Sequence, residues 1–285
     1  MPRVLCISSY VARGHIGLGA VVPALQGLGH ETVALPTVIL SNHPGHPSFS
    51  KLDVPADALV AMIDAHAQSG WLRDIDAVLT GYLPSSGHVA AAVYAVDSVR
   101  SKNPSALIVC DPVLGDDPDG LYIPQDAATA LRETLVPKAD YITPNRFELE
   151  WLSDQPVSTQ AQAIAAARGF AGRGVLVTSL PLTEPGLGNM LVQSSDYTLH
   201  TVPLLDSVPH GTGDFIGALF TGHLLSGFTA QQALHFAVAG VHAVAARSQR
   251  LEELVIVADR EAWVEPDARL NDLAQKAAKP HIKRH

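Results

Sequence analysis

His210-Gly211-Thr212-Gly213-Asp214 stands directly ahead of an apolar run over residues 215–225. Glycine at 211 and 213 gives the backbone access to conformations that aim successive N–H groups at one point. The run behind them reads as a helix over 212–225, whose first amides have no intrahelical acceptor and lie at the positive end of its dipole. This combination predicts an anion hole at the start of an apolar helix. Asp214, in the first turn, is placed to accept a proton from a hydroxyl attacking a phosphoryl group. Taken alone, the pentapeptide equally suits an ordinary capped helix, with Thr212 or Asp214 as the cap.

Working outward, short β-rich runs alternate with longer helical ones. Strands are expected over 4–8, 32–35, 77–80, 107–110, 141–143 and 175–178, and a hairpin over 190–192 and 197–202 around Ser194-Ser195-Asp196. Helices are expected over 17–28, 56–68, 88–102, 125–135, 159–170, 212–225 and 230–246, with a polar loop over 41–50. Such alternation predicts an α/β fold: a mostly parallel central sheet with helices on both faces. The strands are short and apolar, as a sheet buried on both faces requires. No repeat, low-complexity tract or linker interrupts residues 1–285, so one domain is expected.

Composition narrows the function. Hydrophobic residues make up 47% and aromatics only 6%, so aliphatic side chains fill the core. A formal net charge of -9 argues against a general nucleic-acid binder, whose affinity rests on cationic side chains. Cys6 and Cys110 each sit in an apolar strand run and lack metal-binding or disulfide spacing. The N-terminal residues lack the apolar stretch of a signal peptide, and no run approaches the length of a membrane span, so a cytoplasmic location is expected. The basic tail over 276–285 is expected to be a solvated end. No Gly-x-x-x-x-Gly-Lys-Ser/Thr occurs, which excludes a P-loop kinase.

Ligands of parallel sheets bind beyond the C-terminal ends of the strands. The loops after Ser9, Gly81, Asp111, Thr143 and Thr178 should therefore line one crevice. Asp111 ends a buried strand; Asn145 and Glu148 sit at and just inside a helix start, where they also form a capping pair. Asp111 and Glu148 suit a Mg²⁺ ion bridging ATP phosphates, directly or through water. The loops after the first three strands offer a hydroxyl, a tyrosine ring, imidazoles and small apolar groups, a mixture that suits a flat polar heteroaromatic ring better than a sugar. With 13 histidines in the chain, a few near the crevice are expected by chance.

Gly211-Thr212-Gly213-Asp214 in the C-terminal third resembles the signature of the ribokinase-like kinases, and the general resemblance spans essentially the whole chain. It implies a three-layer sandwich, Asp214 as catalytic base, and the amides around Gly211, Thr212 and Gly213 as the anion hole. Ser9-x-Val11-x-x-Gly14-His15, Ser41-Asn42-His43, Asp111-Pro112-Val113-Leu114-Gly115-Asp116 and Thr143-Pro144-Asn145-x-x-Glu148-x-Glu150 resemble pyridoxal kinase segments. That resemblance implies a Ser9 hydrogen bond to a pyridine ring, with Ile16, His43, Pro44 and Tyr82 packing on or near it. It places Asp111, Asn145, Glu148, Thr178 and Ser179 around ATP and its Mg²⁺. Tyr122 resembles a tyrosine on a flap over the site, and the loop 115–120 is expected to form a water-excluding lid with it. His210 takes a position before the anion hole that the family often fills with an apolar residue. The resemblance also implies a homodimer and admits a K⁺ requirement.

The chain departs from the family pattern on the substrate side. Val38-Ile39-Leu40 stands where Val-Gln-Phe is usual, Pro44 where Thr is common, and Ser48-Phe49-Ser50 replaces an aromatic-rich continuation. Pro44 supplies neither an N–H nor a hydroxyl. Three functions stay open at this point: a pyridoxal kinase acting in vitamin B6 salvage, a hydroxymethylpyrimidine or sugar kinase of the same fold, and a non-catalytic nucleotide- or vitamin-binding protein.

Overall fold

The computed structural model describes residues 1–182, 186–194 and 196–264. The expected basic tail over 276–285 and Ser195 of the hairpin turn lie outside them.

The N-terminal half supplies β1 (Arg3–Val11), α1 (Leu18–Gly27), β2 (Glu31–Leu40), β3 (Lys51–Asp53), α2 (Ala56–Gln68), β4 (Ala77–Thr80), α3 (Ser86–Lys102) and β5 (Leu107–Cys110). A small hairpin follows, β6 (Gly115–Asp116) and β7 (Gly120–Leu121), then α4 (Gln125–Ala130), β8 (Tyr141–Ile142), α5 (Arg146–Ser153) and α6 (Gln160–Arg168). The chain closes with β9 (Gly174–Pro181), β10 (Leu187–Gln193), β11 (Asp196–Val202), α7 (Thr212–Leu225), α8 (Ala230–Ser248) and α9 (Glu261–Val264).

Nine strands form one sheet in the order β11-β10-β9-β8-β5-β4-β1-β2-β3. The six from β9 to β2 in that order run parallel, and the antiparallel β10, β11 and β3 lie at the two edges. Alternate residues of each strand enter opposite faces. Thus Leu5 and Ile7 of β1 join the layer of α2, α3, α4, α5 and α6, while Val4 and Cys6 join that of α1, α7, α8 and α9. Small residues let the helices approach the sheet: Ala91, Ala92 and Ala95 of α3 and Ala233 and Ala237 of α8 are buried. Both cysteines are free and buried, as their apolar runs predict.

The structure corrects several element boundaries. β1 and β2 extend past the residues expected to end them, so Ser9 and the 37–40 segment belong to strands rather than loops. The run after Gln125 is α-helical only to Ala130 and continues as a π-helical turn, Leu131–Leu135. β3, the β6–β7 hairpin and α9 were not expected. The β10–β11 hairpin was, and α7 begins and ends where the sequence places it.

Candidate active site

Main-chain hydrogen bonds carry the parallel ladder past the strand ends. Gly81 N bonds Ile7 O at 2.8 Å, Asp111 N bonds Thr80 O at 2.9 Å, Thr143 N bonds Cys110 O at 3.1 Å, and Thr178 N bonds Pro144 O at 2.9 Å. These bonds fix the residues after β4, β5 and β8, and those late in β9, in one row above the sheet. The start of α7 faces that row.

Gly211 is the N-cap of α7, at φ 107°, and no side chain caps the helix. The first intrahelical bond to this cap is Phe215 N to Gly211 O, at 3.0 Å. The amides of Thr212, Gly213 and Asp214 therefore stay available to an anion. A Cβ at 211 would lie 2.0 Å from His15 O, so only glycine fits against the β1–α1 loop, whereas the space around Gly213 is open to 4 Å. The capped-helix reading of this segment, with Thr212 or Asp214 as cap, is thereby set aside.

Asp214 turns across the crevice instead, and its Oδ2 accepts from Gly17 N at 2.8 Å. Gly17, at φ 56°, presses so closely on Ser9 that a Cβ there would lie 2.2 Å from Ser9 O. Burial pushes the Asp214 carboxyl up to about 6, against the pull of the Gly17 amide. A carboxylate tuned in this way is a competent base near neutral pH.

Asp111 is buried, and its Oδ1 accepts from Thr143 Oγ1 at 2.8 Å. Burial raises its pKa well above the ordinary value, and the Glu148 and Asp214 charges add to that, opposed by the Thr143 hydroxyl. Glu148 is also buried. Its Oε1 accepts from Leu114 N and its Oε2 from Asn145 N, both at 2.9 Å. Burial raises the Glu148 carboxyl and these amides draw it back. The Asn145 side chain accepts from Glu148 N at 2.8 Å, completing the capping box that the sequence suggested. Asn145 also bridges in parallel to Thr178, joining the β8 and β9 ends.

Beside the anion hole lies a cavity of about 180 Å³. Thr178, Ser179, Thr212 and Gly213 line its polar end, and Ile216, Val238, Val241 and Ala245 its apolar wall. Ser179 holds a left-handed conformation, φ 55°. The α8 residues of this wall were not singled out from the sequence: an apolar helix face gives the same pattern whether it packs on a core or on a ligand.

On the opposite side, Ile16 and Tyr82 pack on a small cluster of Val11, Val38 and Leu40. Ser9 is buried. Ser8 and Thr37, also missed in the sequence, hold the Tyr82 backbone: Tyr82 N donates to Ser8 Oγ at 3.1 Å and Thr37 Oγ1 donates to Tyr82 O at 2.8 Å. His43 and His210 stack with centroids 4.2 Å apart and planes at 24°. Desolvation, then His210 and His46, lower the His43 pKa. Pro44 is exposed on the loop beyond His43. Tyr122 follows the β6–β7 hairpin, is 47% exposed, and bonds Leu114 O through its amide at 2.7 Å.

The start of α7 lies between the two sides: Thr212 and Gly213 line the slot, Gly211 abuts His15 and Ile16, and Asp214 bonds Gly17. That order along the crevice defines a small-molecule kinase of the ribokinase-like fold. The chain matches the phosphomethylpyrimidine kinase family over residues 18–257. It is 38% identical to pyridoxal kinase PdxY of Granulibacter bethesdensis over 276 residues, covering 93% of this chain and 96% of that one. It is 37% identical to pyridoxal kinase PdxY of Deinococcus radiodurans over 281 residues, covering 93% and 94% of the two chains. The pyridoxal kinase of Leishmania donovani in complex with ADP and pyridoxine superposes with a TM-score of 0.86 at 28% identity, covering 93% of this chain and 96% of that one. The chain belongs to the pyridoxal kinase family.

Proposed function

We propose that the protein transfers the γ-phosphoryl group of ATP to the 5′-hydroxymethyl group of pyridoxal, yielding pyridoxal 5′-phosphate. The observation that carries this reading is the placement of Asp214, fixed by Gly17 N at the mouth of the α7 amides. ATP enters the slot between Ser179 and Val241 with its γ-phosphate toward Gly213. The vitamer ring lies on Ile16 and Tyr82, with Ser9 facing its nitrogen. Asp214 removes the proton of the attacking alcohol, and the amides of Thr212, Gly213 and Asp214 receive the charge on the migrating group.

The donor set suits Mg²⁺ bound to nucleotide phosphates. Asp111 presents a buried carboxylate engaged by a single hydroxyl, while Glu148, with both oxygens already taken by amides, acts through water. Among the described residues no cluster of three or more His, Cys, Asp or Glu could hold a metal. This fits an ion whose remaining ligands come from ATP and solvent. The ion would neutralise phosphate charge, and Asp111 would hold it beside Asp214. A K⁺ requirement, a homodimer and a cytoplasmic location belong to the same reading; sedimentation of the purified chain tests the dimer.

The decisive experiment offers pyridoxal, pyridoxine, pyridoxamine, hydroxymethylpyrimidine and ribose with MgATP and follows ADP. Turnover with the three vitamers is expected. Turnover confined to hydroxymethylpyrimidine would replace the acceptor and keep the chemistry, an outcome favoured by the matched family's name and by the exposed Pro44. ADP formation with none of the five would sink the acceptor assignment altogether.

A further inference from the structure

The β6–β7 hairpin has only two residue pairs, Gly115 with Leu121 and Asp116 with Gly120. A ladder this short does not hold a strand pair in place alone, so tertiary contacts set its position. Its root is held by α5 at two points. Asn145 Nδ2 donates to Gly115 O at 2.8 Å, and Leu114 N donates to Glu148 Oε1 at 2.9 Å. The tip is held differently. Asp117 forms an ion pair with Arg146, the first residue of α5. Among the described residues this is the tip's one charged contact with α5.

The Arg146 side chain is itself immobilised, with 21% exposure. Its Nη1 donates to Val157 O at 3.0 Å and to Glu150 Oε2 at 3.1 Å. Glu150 Oε2 in turn accepts from Val157 N at 2.8 Å. The guanidinium is therefore presented to Asp117 from a braced position, so the ion pair loses less side-chain entropy than two free surface residues would. The hairpin root is tied to Asn145 and Glu148, which line the crevice beside Asp111, and the chain leads from the hairpin directly into Tyr122. The position of its tip rests on the Asp117–Arg146 pair.

We propose that Arg146 is a positioning residue: through Asp117 it latches the β6–β7 hairpin over the site and keeps water away from the γ-phosphate. This rests on the kinase reading above. With the latch broken, a water oxygen replaces the acceptor oxygen in attack on the γ-phosphorus. The bond to the β-bridging oxygen breaks, ADP leaves with that electron pair, inorganic phosphate forms and the water proton is released.

The test compares wild type with Asp117→Asn, Arg146→Gln and the double variant, measuring ADP and vitamer phosphate in the same reaction. Asp117→Asn leaves the α5 contacts of Arg146 intact, so it reports on the latch even where Arg146→Gln folds poorly. Each single variant is expected to raise KM for pyridoxal roughly two- to fivefold, the range for one partly exposed ion pair, and to form more than one ADP per vitamer phosphate. The double variant should be no worse than the more impaired single one, because both remove the same contact. A merely structural role would lower Tm and kcat while the product ratio stayed at one. Wild-type KM and a ratio of one in Asp117→Asn would overturn the latch and leave the kinase reading untouched. A wild-type protein that phosphorylates no vitamer would overturn both.

Discussion

Replacing Asp214 by Asn should make the protein more stable while abolishing most turnover. The carboxyl rises from 3.8 to about 6 because burial disfavours its charge. A folded-state pKa above the unfolded one contributes stability that is complete below the unfolded value and is lost as pH rises through the folded value. Above pH 7 the native state therefore carries an unfavourably buried charge. At about 1.4 kcal/mol per pH unit of displacement, this amounts to about 3 kcal/mol as an upper figure. Asp111 lies close enough for Asp214 to raise its pKa, so neutralising Asp214 relieves that repulsion too. An Asn at 214 keeps an oxygen to accept from Gly17 N and loses only the charge. Urea unfolding at pH 8 should thus show Asp214→Asn more stable by about 2–3 kcal/mol, with Tm higher on the order of 5 °C. The gain should shrink as pH falls from 6 to 4, where the wild-type carboxyl is itself neutral. A variant no more stable than wild type at pH 8, or a gain independent of pH, would refute the account of a buried, charge-strained base.

The same carboxyl sets the acid limb of the rate profile: kcat/KM with saturating MgATP should fall about tenfold per pH unit below about 6. Gly211→Ala drives a Cβ to 2.0 Å from His15 O and must displace the α7 amides; turnover should drop about 100-fold or more, read by steady-state kinetics. Val241→Trp fills the slot of about 180 Å³; KM for ATP should rise at least ~10-fold with KM for pyridoxal unchanged, and thermal stabilisation by ADP should disappear.

The central sheet and α7 were legible because their signals are local. An apolar run such as 107–110 allows little except a buried strand, and two glycines before 215–225 mark a helix start. Asp111, Asn145, Glu148 and Asp214 could be placed along one crevice from the sequence because each sits at or next to a strand or helix end. β1 and β2 were cut short because Ser9 and Thr37 look like loop residues; both are buried strand residues, and Thr37, with Ser8, holds the Tyr82 backbone. The β6–β7 hairpin was invisible because Asn145, Arg146 and Glu148, some 30 residues further along the chain, hold it in place. His43 was read as a substrate residue, but no sequence pattern shows that its ring stacks on His210, 167 positions away.

The strand order has an evolutionary consequence. Ser9, His43 and Tyr82 come from or follow β1, β2 and β4 on one flank, whereas Asp111, Asn145 and Thr178 come from β5, β8 and β9 on the other. On the proposed reading, the alcohol is held on one flank and ATP on the other. The departures from the pyridoxal kinase pattern at Ile39, Leu40 and Pro44 fall on the flank of β1, β2 and β4. On that reading, substitutions confined to a single flank suffice to change the acceptor, with the residues that meet ATP left in place.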